Sequence, residues 1–366
     1  MIYFCYFILV FLLLRLLISI VNFLSFRHLS DKIDLISSPK VSILIPARNE
    51  EYTIGNLLNQ LSNFSYENLE IIIYDDNSTD RTAEIVKKHA QSDQKIQLIK
   101  GDELIEGWLG KNYACHMLGM EASGEVLLFL DADVSVKNGL LERALTHFQQ
   151  HKLHLLSIFP KQIFRSIGEK ISVPLMNWIL LSFLPLIFVR ISKNAAFAAA
   201  NGQFIMFRAD TYKRLLPHQI HRKEKVEDIA IIRHFKTQGL KSDTLLGDIN
   251  IECRMYTGVR EAIEGFTKNI FQFFGNSIFL TILVGIIITI APFIIFIYFG
   301  ILFGIAYMIG TLLIRIFVSL ASKQSVFINL IFMIPQHLVF LLIITKGVVN
   351  YKKKELIWKG RNIFQD

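Results

Sequence analysis

Two aspartates separated by a single alanine are the first residues of this chain that could do chemistry. Asp131 and Asp133 directly follow five apolar residues, Val126–Leu130. A short, wholly apolar run predicts a buried parallel strand, and open α/β sheets bind ligands beyond the carboxyl ends of their strands. Residues two apart on an extended backbone point to the same side, so both carboxylates could bind one hard cation such as Mg2+. The competing interpretation is a polar turn, where Asp is common for local reasons.

A second pair of carboxylates, Asp75 and Asp76, ends another apolar run, Leu69–Tyr74. A carboxylate in that place can accept hydrogen bonds from the base or the ribose of a nucleotide. The following residues, Asn77 to Asp80, supply side chains that cap helices, so a local turn or cap is the alternative role for both aspartates.

A third acidic pair, Glu227 and Asp228, precedes a predicted helix that stops at Gly239. Acids at a helix N-terminus interact favourably with the helix dipole, and this alone would explain them structurally. The functional alternative is a general base, which takes a proton from an acceptor hydroxyl while the oxygen attacks a sugar carbon.

Two basic residues occupy positions from which they could bind phosphate. Lys111 follows Gly110 in the stretch W-L-G-K, just before a predicted helix, and offers a point charge. Arg254 follows the last predicted strand and could clamp phosphate oxygens, while Tyr256 could stack on a ligand or form a hydrogen bond with it. A surface turn is the alternative explanation for the W-L-G-K stretch.

The elements that must position these groups alternate in type along the chain. Apolar runs predict strands at 41–47, 69–74, 96–99 and 126–130, with helices between them at 53–61, up to residue 90 and at 112–122. Such an alternation indicates βαβ units. We therefore predict an α/β domain with a mostly parallel sheet and helices on both faces. Further along, the pattern predicts strands at 203–207 and 249–256 and a helix at 229–238.

The apolar residues are concentrated at the two ends of the chain. Hydrophobic residues make up 52% of the sequence and the mean hydropathy is +0.42, which predicts a membrane protein carrying one water-facing domain. Residues 1–26 form an anchor whose apolar run has Arg15 as its only charge and is too long for a signal peptide. Basic residues follow it, so the positive-inside rule places the middle domain in the cytoplasm.

The C-terminal part predicts two or three further membrane helices at 277–346, followed by a basic tail at 347–366. An additional apolar stretch, 173–189, is interrupted by Pro174 and Pro185, and we predict that it lies at the bilayer interface or re-enters the bilayer without crossing it. Three C-terminal spans would place the basic tail outside, against the positive-inside rule, so the number of crossing segments stays open.

Charge, cysteines and motifs exclude several classes of protein. The net charge is +8, but basic residues flank the apolar segments and form no stripe interleaved with aromatic residues, which favours a bilayer over nucleic acid as the partner. The three cysteines have neither metal-site nor disulfide spacing. The sequence contains no Walker glycine loop, no serine nucleophile elbow and no zinc motif.

Five short motifs occur in an order that resembles the family 2 glycosyltransferases, which have a GT-A fold. The motifs are P-A-R-N-E at 46–50, D-D-N-S-T-D at 75–80, G-K-x-x-A at 110–114, D-A-D at 131–133 and E-D at 227–228. The resemblance covers 40–275, which we expect to be a GT-A nucleotide-sugar-binding domain. Four further stretches are similar to a bacterial branch that glycosylates polyisoprenoid lipids, the carotenoid (diaponeurosporenoate) glycosyltransferases and their hopanoid-associated relatives: G-W-L-G-K at 107–111, R-M-Y at 254–256, E-G-F-T-K-N at 264–269 and W-K-G-R at 358–361.

The resemblance implies a role for each candidate residue. Asp75 and Asp76 would hold uracil and ribose. Asp133 would be the direct ligand of Mg2+ or Mn2+, with Asp131 beside it. Asp228 would be the catalytic base, next to Glu227.

We expect Lys111 and Arg254 to contact the donor. On the acceptor side we expect Trp108, Gly202, Gln203 and Tyr256. The Q-x-x-R-W motif of processive members is not met, because Arg254-Met255-Tyr256 stands in its place, and this argues against processive polymer synthesis.

The expected function is an inverting, metal-dependent transfer of a sugar from a UDP-sugar to a membrane lipid, such as a carotenoid. The base Asp228 favours a hydroxyl over a carboxyl acceptor, since an ionised acid needs less help. The alternatives are transfer to polyprenyl phosphate, synthesis of a short polysaccharide and, in another class, a non-catalytic membrane scaffold. We expect a multi-pass protein of the cell membrane with its catalytic domain facing the cytoplasm; the sugar, the acceptor, the metal and the oligomeric state stay open.

Overall fold

The computed structural model describes residues 1–353, together with the backbone of residues 357–358 and 361–362. The chain folds into two compact units. The sheet unit comprises Arg27–Lys161 and Leu186–Arg254, and the helical unit comprises Met1–Phe26, Gln162–Pro185 and the residues from Met255 onward.

Strands and helices alternate through most of the chain, as the apolar pattern predicts. The strands are β1 (Val41–Ala47), β2 (Leu69–Asp75), β3 (Ile96–Lys100), β4 (Val126–Leu130), β5 (Val134–Val136), β6 (Leu155–Phe159), β7 (Lys161–Gln162), β8 (Phe204–Arg208), β9 (Ser242–Leu246), β10 (Ile251–Cys253), β11 (Ile357–Trp358) and β12 (Arg361–Asn362). The α-helices are α1 (Ile2–Leu24), α2 (Ile54–Ser62), α3 (Thr82–Ser92), α4 (Gly110–Glu121), α5 (Leu140–Gln150), α6 (Ile167–Ser172), α7 (Pro174–Phe183), α8 (Ile187–Ile191), α9 (Ala209–Leu215), α10 (Pro217–Ile220), α11 (Glu227–Thr237), α12 (Val259–Thr267), α13 (Ile278–Phe299), α14 (Ile301–Ala321), α15 (Val326–Ile331) and α16 (Met333–Lys353).

Seven of the described strands form one sheet in the order β3-β2-β1-β4-β8-β6-β9. The pairs β3-β2, β2-β1, β1-β4 and β6-β9 are parallel, whereas β8 runs antiparallel to both of its neighbours. A small second sheet contains β5 paired antiparallel with β10. The prediction of a mostly parallel α/β domain is confirmed.

The core of the sheet unit explains why these strands form. The side chains of Ile43, Ile45, Ile71 and Ile73 are completely buried. Each fully buried aliphatic side chain contributes roughly 1.5–3 kcal/mol relative to exposure. Helix α2 packs one apolar face on this core, through the spacing that the sequence predicts: Ile54, Leu57, Leu58 and Leu61.

Two strands of the large sheet, β6 and the edge strand β9, are not among the strands predicted from the sequence. Strand β9 (S-D-T-L-L) begins with polar residues, which hide its strand character. Asp243 in this strand is 0% exposed; it forms an ion pair with Arg27 and a hydrogen bond with His147, whose Nε2 lies 2.9 Å from Oδ2. Tertiary pairing of a buried charge therefore overrides the local pattern. The predicted strand at 249–256 is correct only for Ile251–Cys253.

Among the described residues, the helical unit contains four helices that are long and apolar enough to cross a membrane: α1, α13, α14 and α16. Helices α1 and α14 are parallel, since Leu12 lies against Gly310 and, further along both helices, Phe23 packs on Phe317 with ring centroids 5.7 Å apart. Gly300, at φ +79°, makes the tight turn between α13 and α14. The end of α1, the start of α13 and the end of α14 thus lie at one end of the bundle, which we call the Leu24 end.

Helix α16 begins about halfway along the bundle, where His337 Nε2 lies 2.9 Å from Thr289 Oγ1 in the middle of α13, and ends at the Leu24 end. Near its start, Gln336 accepts a hydrogen bond from Arg315, which lies in the last two turns of α14. Near its end, Lys346 Nζ lies 3.5 Å from Glu264 Oε1, and Tyr351 packs on Phe271, which precedes α13.

The apolar stretch 173–189 forms two separate helices. Helix α7 is almost wholly buried in the helical unit, where it packs on α1 and α14, whereas α8 belongs to the sheet unit. Of the predicted tail, residues 347–353 continue α16. In the W-K-G-R stretch, Lys359 and Gly360 lie outside the described residues.

Candidate active site

The candidate residues of the first two acidic pairs lie at one edge of the sheet because their strands are parallel. Ala47, the last residue of β1, pairs with Asp75, and the backbone N–H of Asp76 donates to Ala47 O at 2.8 Å. Strand β4 lies on the other side of β1, so Asp131 follows at the same edge. Register thus brings together residues that are far apart in sequence.

Asp75 and Asp76 face different partners. Asp75 Oδ1 accepts a hydrogen bond from Ser78 N at 3.2 Å. This bond closes a local turn, which is the structural alternative to nucleotide binding for this residue. Asp76 lies beside Arg48, whose Nη1 donates to Asp76 O at 2.6 Å and lies 3.7 Å from Asp76 Oδ2. Arg48 follows β1 directly and was not among the predicted site residues, although that position at a strand end was a usable signal.

Lys111 joins two of the predicted acidic groups. Its Nζ lies 2.8 Å from Asp131 Oδ1 and 3.7 Å from Glu227 Oε1. Burial lowers the pKa of Lys111, but these carboxylates raise it well above its ordinary value. A permanently charged ammonium beside a carboxylate at the strand edge is suited to bind phosphate oxygens.

Asp133 has the chemistry of a cation ligand. Its Oδ1 is buried and has no hydrogen-bond partner among the described residues. Burial, followed by repulsion from Asp131 and Glu50, raises its pKa to about 7, against the lowering effect of the nearby Cys253 and Lys111. A divalent cation would satisfy the orphaned oxygen and relieve the repulsion.

In the part of the chain that the structure describes, no three His, Cys, Asp or Glu side chains converge on a metal geometry. A cation held by Asp133 and Asp131 would therefore need further ligands from the substrate. Such a ligand set is typical of Mg2+, which proteins usually bind through one or two carboxylates together with phosphates of the substrate.

Asp228, in the first turn of α11, is held by two backbone donors. Gly202 N donates to Oδ2 at 2.8 Å and Ile229 N donates to Oδ1 at 2.7 Å. Burial and then Glu227 raise the pKa of Asp228 to about 7. Burial also raises the pKa of Glu227. A carboxylate with this pKa can take up a proton near neutral pH, as a general base requires.

The predicted acceptor-side residues do not all come together. Gly202 lies at the acidic cluster, since a Cβ added to it would be 3.1 Å from Lys111 Nζ. Gln203 is buried and donates to Cys253 Sγ at 2.9 Å. Trp108 packs on Tyr113, with ring centroids 5.4 Å apart.

Two predicted residues follow β10. Arg254 comes directly after Cys253 and is half-buried at the end of the sheet unit. Tyr256 belongs to the helical unit, where its ring packs on Phe266 at 5.2 Å.

Asn112 is a buried residue that sequence reasoning missed. Its Nδ2 donates to three backbone oxygens of the loop before α11: His221 O, Arg222 O and Glu224 O. Asn112 is adjacent to Lys111. One short segment therefore carries the lysine that pairs with Asp131 and Glu227 and the amide that holds the loop before Glu227. A polar residue in the first turn of a helix gave no distinctive signal by itself.

Comparison with known proteins gives a family match and similar proteins. Residues 42–211 match the family described as Glycosyl transferase family 2. A 4,4'-diaponeurosporenoate glycosyltransferase of Staphylococcus haemolyticus is 28% identical over 241 residues, which cover 64% of this chain and 62% of that protein. The Staphylococcus aureus protein of the same name is 26% identical, over 63% of this chain and 60% of that protein. The chain thus matches about three fifths of the length of these relatives.

A solved structure shares the fold. The mannosyltransferase PcManGT from Pyrobaculum calidifontis, in complex with GDP-Man and Mn2+, matches with a TM-score of 0.55 at 14% identity, over 94% of this chain and 98% of that one. The expected GT-A fold and the resemblance to family 2 and its carotenoid branch are confirmed.

Proposed function

We propose that this chain, whose residues 42–211 form a family 2 glycosyltransferase domain, transfers a sugar from a UDP-sugar to a membrane lipid with inversion at the sugar carbon. The observation that carries the proposal is the acidic cluster at the strand edge. Asp131, Glu227 and Asp228 lie around Lys111 and Gly202, beside an Asp133 whose Oδ1 has no partner among the described residues. Such a cluster contains both a cation that can bind phosphate, Lys111, and a carboxylate that can act as a base, Asp228.

Asp133 and Asp131 would hold a divalent cation, Mg2+ or Mn2+, and the orphaned Oδ1 of Asp133 supports this assignment. When bound, the cation would neutralise charge on the departing diphosphate. Lys111 would contact the same diphosphate, and Asp76, backed by Arg48, would hold the nucleoside. The solved mannosyltransferase was crystallised with GDP-Man and Mn2+, which supports a nucleotide sugar and a cation as the class of ligand.

Asp228 would act as the general base. It takes the proton of the acceptor hydroxyl while the oxygen forms a bond to the sugar carbon and the nucleoside diphosphate leaves with the electron pair of the bond that breaks. One displacement of this kind inverts the configuration. The two hydrogen bonds from Gly202 and Ile229 would keep the carboxyl oriented.

The acceptor would be a lipid. The Staphylococcus relatives are named for 4,4'-diaponeurosporenoate, and a Nostoc protein that is 34% identical over 33% of this chain is named beta-monoglucosyldiacylglycerol synthase. Four span-length helices would place this chain in the same membrane as such a lipid. Both names support a membrane lipid and leave open whether a hydroxyl or a carboxyl receives the sugar.

We also propose that α1, α13 and α14 cross the cell membrane and that α16 does not. Helix α16 begins about halfway along the bundle, at Thr289 of α13, and its end lies at the Leu24 end, so it traverses only part of the bundle. The C-terminal tail would then return to the side on which the chain enters the sheet unit, the cytoplasm. This arrangement removes the conflict with the positive-inside rule.

The test uses the purified full chain with Mn2+, a panel of UDP- and GDP-sugars and a membrane lipid extract, with mass spectrometry of the products. A neutral glycolipid formed from a UDP-sugar supports the proposal. An acid-labile phospholipid-sugar or a short polymer would replace it by the polyprenyl-phosphate or polysaccharide alternative. No nucleotide binding and no turnover with any donor would favour the non-catalytic scaffold.

A further inference from the structure

Two arginines are buried in the helical unit. Arg15 of α1 and Arg315 of α14 each have 5% of their surface exposed. Arg15 lies nine residues before Leu24 and Arg315 six residues before Ala321, which corresponds to about 13 Å and 9 Å along the helices. Both guanidinium groups therefore belong to the half of the bundle toward the Leu24 end.

The two guanidinium groups share one aromatic ring. Arg15 Cζ lies 4.9 Å from the ring centroid of Trp178 in α7, and Arg315 Cζ lies 4.4 Å from it. The ring of Phe183 lies 4.6 Å from Arg15 Cζ. Aromatic faces attract cations, but their quadrupoles return only about 2 kcal/mol to a desolvated guanidinium.

The polar partners of both arginines are neutral. Arg15 Nη2 donates to Ser182 Oγ at 2.8 Å, and Arg315 Nη1 donates to Gln336 Oε1. Arg15 Nε is buried and has no hydrogen-bond partner among residues 1–353. Neither arginine forms an ion pair with a carboxylate in that part of the chain. A guanidinium has five donors, and each of these two uses one.

Burying two positive charges without a carboxylate in an apolar helix bundle is unfavourable in free energy. A buried charge requires a counter-charge or a full set of hydrogen bonds, and intramembrane charges mark ligand or ion sites by default. The missing element is an oxyanion, because phosphate and carboxylate match the planar fork of arginine.

We propose that Arg15 and Arg315 form an anion site that binds the phosphate or carboxylate head of a lipid, drawn below the membrane surface at the Leu24 end of the bundle. A lipid is the favoured source because the guanidiniums are surrounded by Trp178, Phe11 and Phe183, which suit an acyl chain and not a hydrated ion. The site is separate from the acidic cluster and does not depend on the proposed sugar transfer.

The test compares thermal unfolding of the full chain in nanodiscs of phosphatidylcholine with and without phosphatidylglycerol. Wild-type protein should unfold at a temperature higher by on the order of 5 °C when phosphatidylglycerol is present, since a ligand that binds only the folded state stabilises it. Arg15→Met and Arg315→Met should lose this increment. Arg260→Met is the matched control, because the side chain of Arg260 is 93% exposed, and it should keep the increment.

The Met variants should also unfold at or above the wild-type temperature in pure phosphatidylcholine, because they remove a buried unpaired charge. Arg315→Lys retains the charge and should keep part of the increment. It provides a second test if a Met variant does not fold. A third arm replaces phosphatidylglycerol by inorganic phosphate. A full increment from phosphate alone would keep the oxyanion site and assign it to a free ion. No increment in wild type, or an equal increment in all variants, would overturn the proposal.

Discussion

The backbone N–H of Gly202 donates a hydrogen bond to Asp228 Oδ2 at 2.8 Å. This contact places the turn before β8 directly against the first turn of α11, and a Cβ at position 202 would lie 3.1 Å from Lys111 Nζ, so that Lys111 would have to shift by a few tenths of an ångström. The glycine therefore permits a close approach of the backbone and is not required by an unusual backbone angle. The same turn orients the proposed base and leaves room for the ammonium that would meet the diphosphate.

Replacing the proposed base should stop chemistry and spare binding. We expect Asp228→Asn to lower kcat by about 10²–10⁴-fold, the usual contribution of a general base, with UDP-sugar affinity nearly unchanged. The rate of glycolipid formation and calorimetric titration of the nucleotide sugar measure the two effects. Asp210→Asn is the control, since its side chain is 67% exposed on α9 and should leave both values unchanged. Wild-type turnover in Asp228→Asn would remove this residue from the mechanism.

The pH dependence of the reaction should report the raised pKa of Asp228. The base works only when ionised and its pKa is about 7, so kcat/KM should rise about tenfold per pH unit below 7 and level off above it. Glu227 is one cause of the raised pKa, so Glu227→Gln should move the midpoint to lower pH. A wild-type profile that is flat between pH 5 and 8 would contradict the assignment.

The cation assignment predicts a loss of metal-dependent nucleotide binding in Asp133→Asn. Titration of UDP with and without Mn2+ measures this, and wild-type protein should bind UDP more tightly with the cation. Equal metal dependence in the variant and in wild type would place the metal elsewhere.

Asp133 should also make the metal-free protein less stable at neutral pH. Its folded pKa of about 7 lies above the ordinary value of 3.8, so its stabilising contribution is complete below pH 4 and is lost as the pH rises through 7. The unfolding temperature of wild type should fall across this window, and Asp133→Asn should reduce the fall. An unchanged slope in the variant would show that the carboxyl is not a strained buried charge.

The clamp by Asn112 should affect catalysis through the loop before α11. Asn112→Ala removes a donor from three partly buried carbonyls, of which His221 O and Arg222 O keep the backbone N–H groups of Glu224 and Leu109 as donors. The loss of these bonds should cost about 1–3 kcal/mol in total. We expect a kcat lower by about tenfold, a smaller change in KM and a lower unfolding temperature. Asn63→Ala removes an exposed amide and is the matched control. A stability loss with an unchanged kcat would limit Asn112 to a structural role.

The membrane topology can be tested with single cysteines, since the three native cysteines are buried. In intact cells, an impermeant thiol reagent should label Ile301→Cys, beside the α13–α14 turn. It should not reach Glu103→Cys in the sheet unit or Lys352→Cys at the end of α16. Labelling of Lys352→Cys from outside would make α16 a fourth span.

The sequence by itself determined the parallel strands, the amphipathic face of α2, the span-length helices and the order of acidic motifs. These features depend on apolar periodicity and on the residues that end a strand, both of which are local. It missed β9, because the buried Asp243 is tolerated through Arg27, His147 and Arg190, which are distant in sequence. It also missed β6, although L-L-S-I-F is an apolar run.

Which candidate residues lie together, and how their pKa values shift, depends on the tertiary structure. Register placed Asp76 and Asp131 at one edge, and burial beside Glu227 raised the pKa of Asp228. Packing also directs the end of α16 to the Leu24 end. It brings Arg15 of α1 and Arg315 of α14 to the ring of Trp178. Desolvation and charge pairing are sums over neighbours in space, so no local pattern of residues contains them.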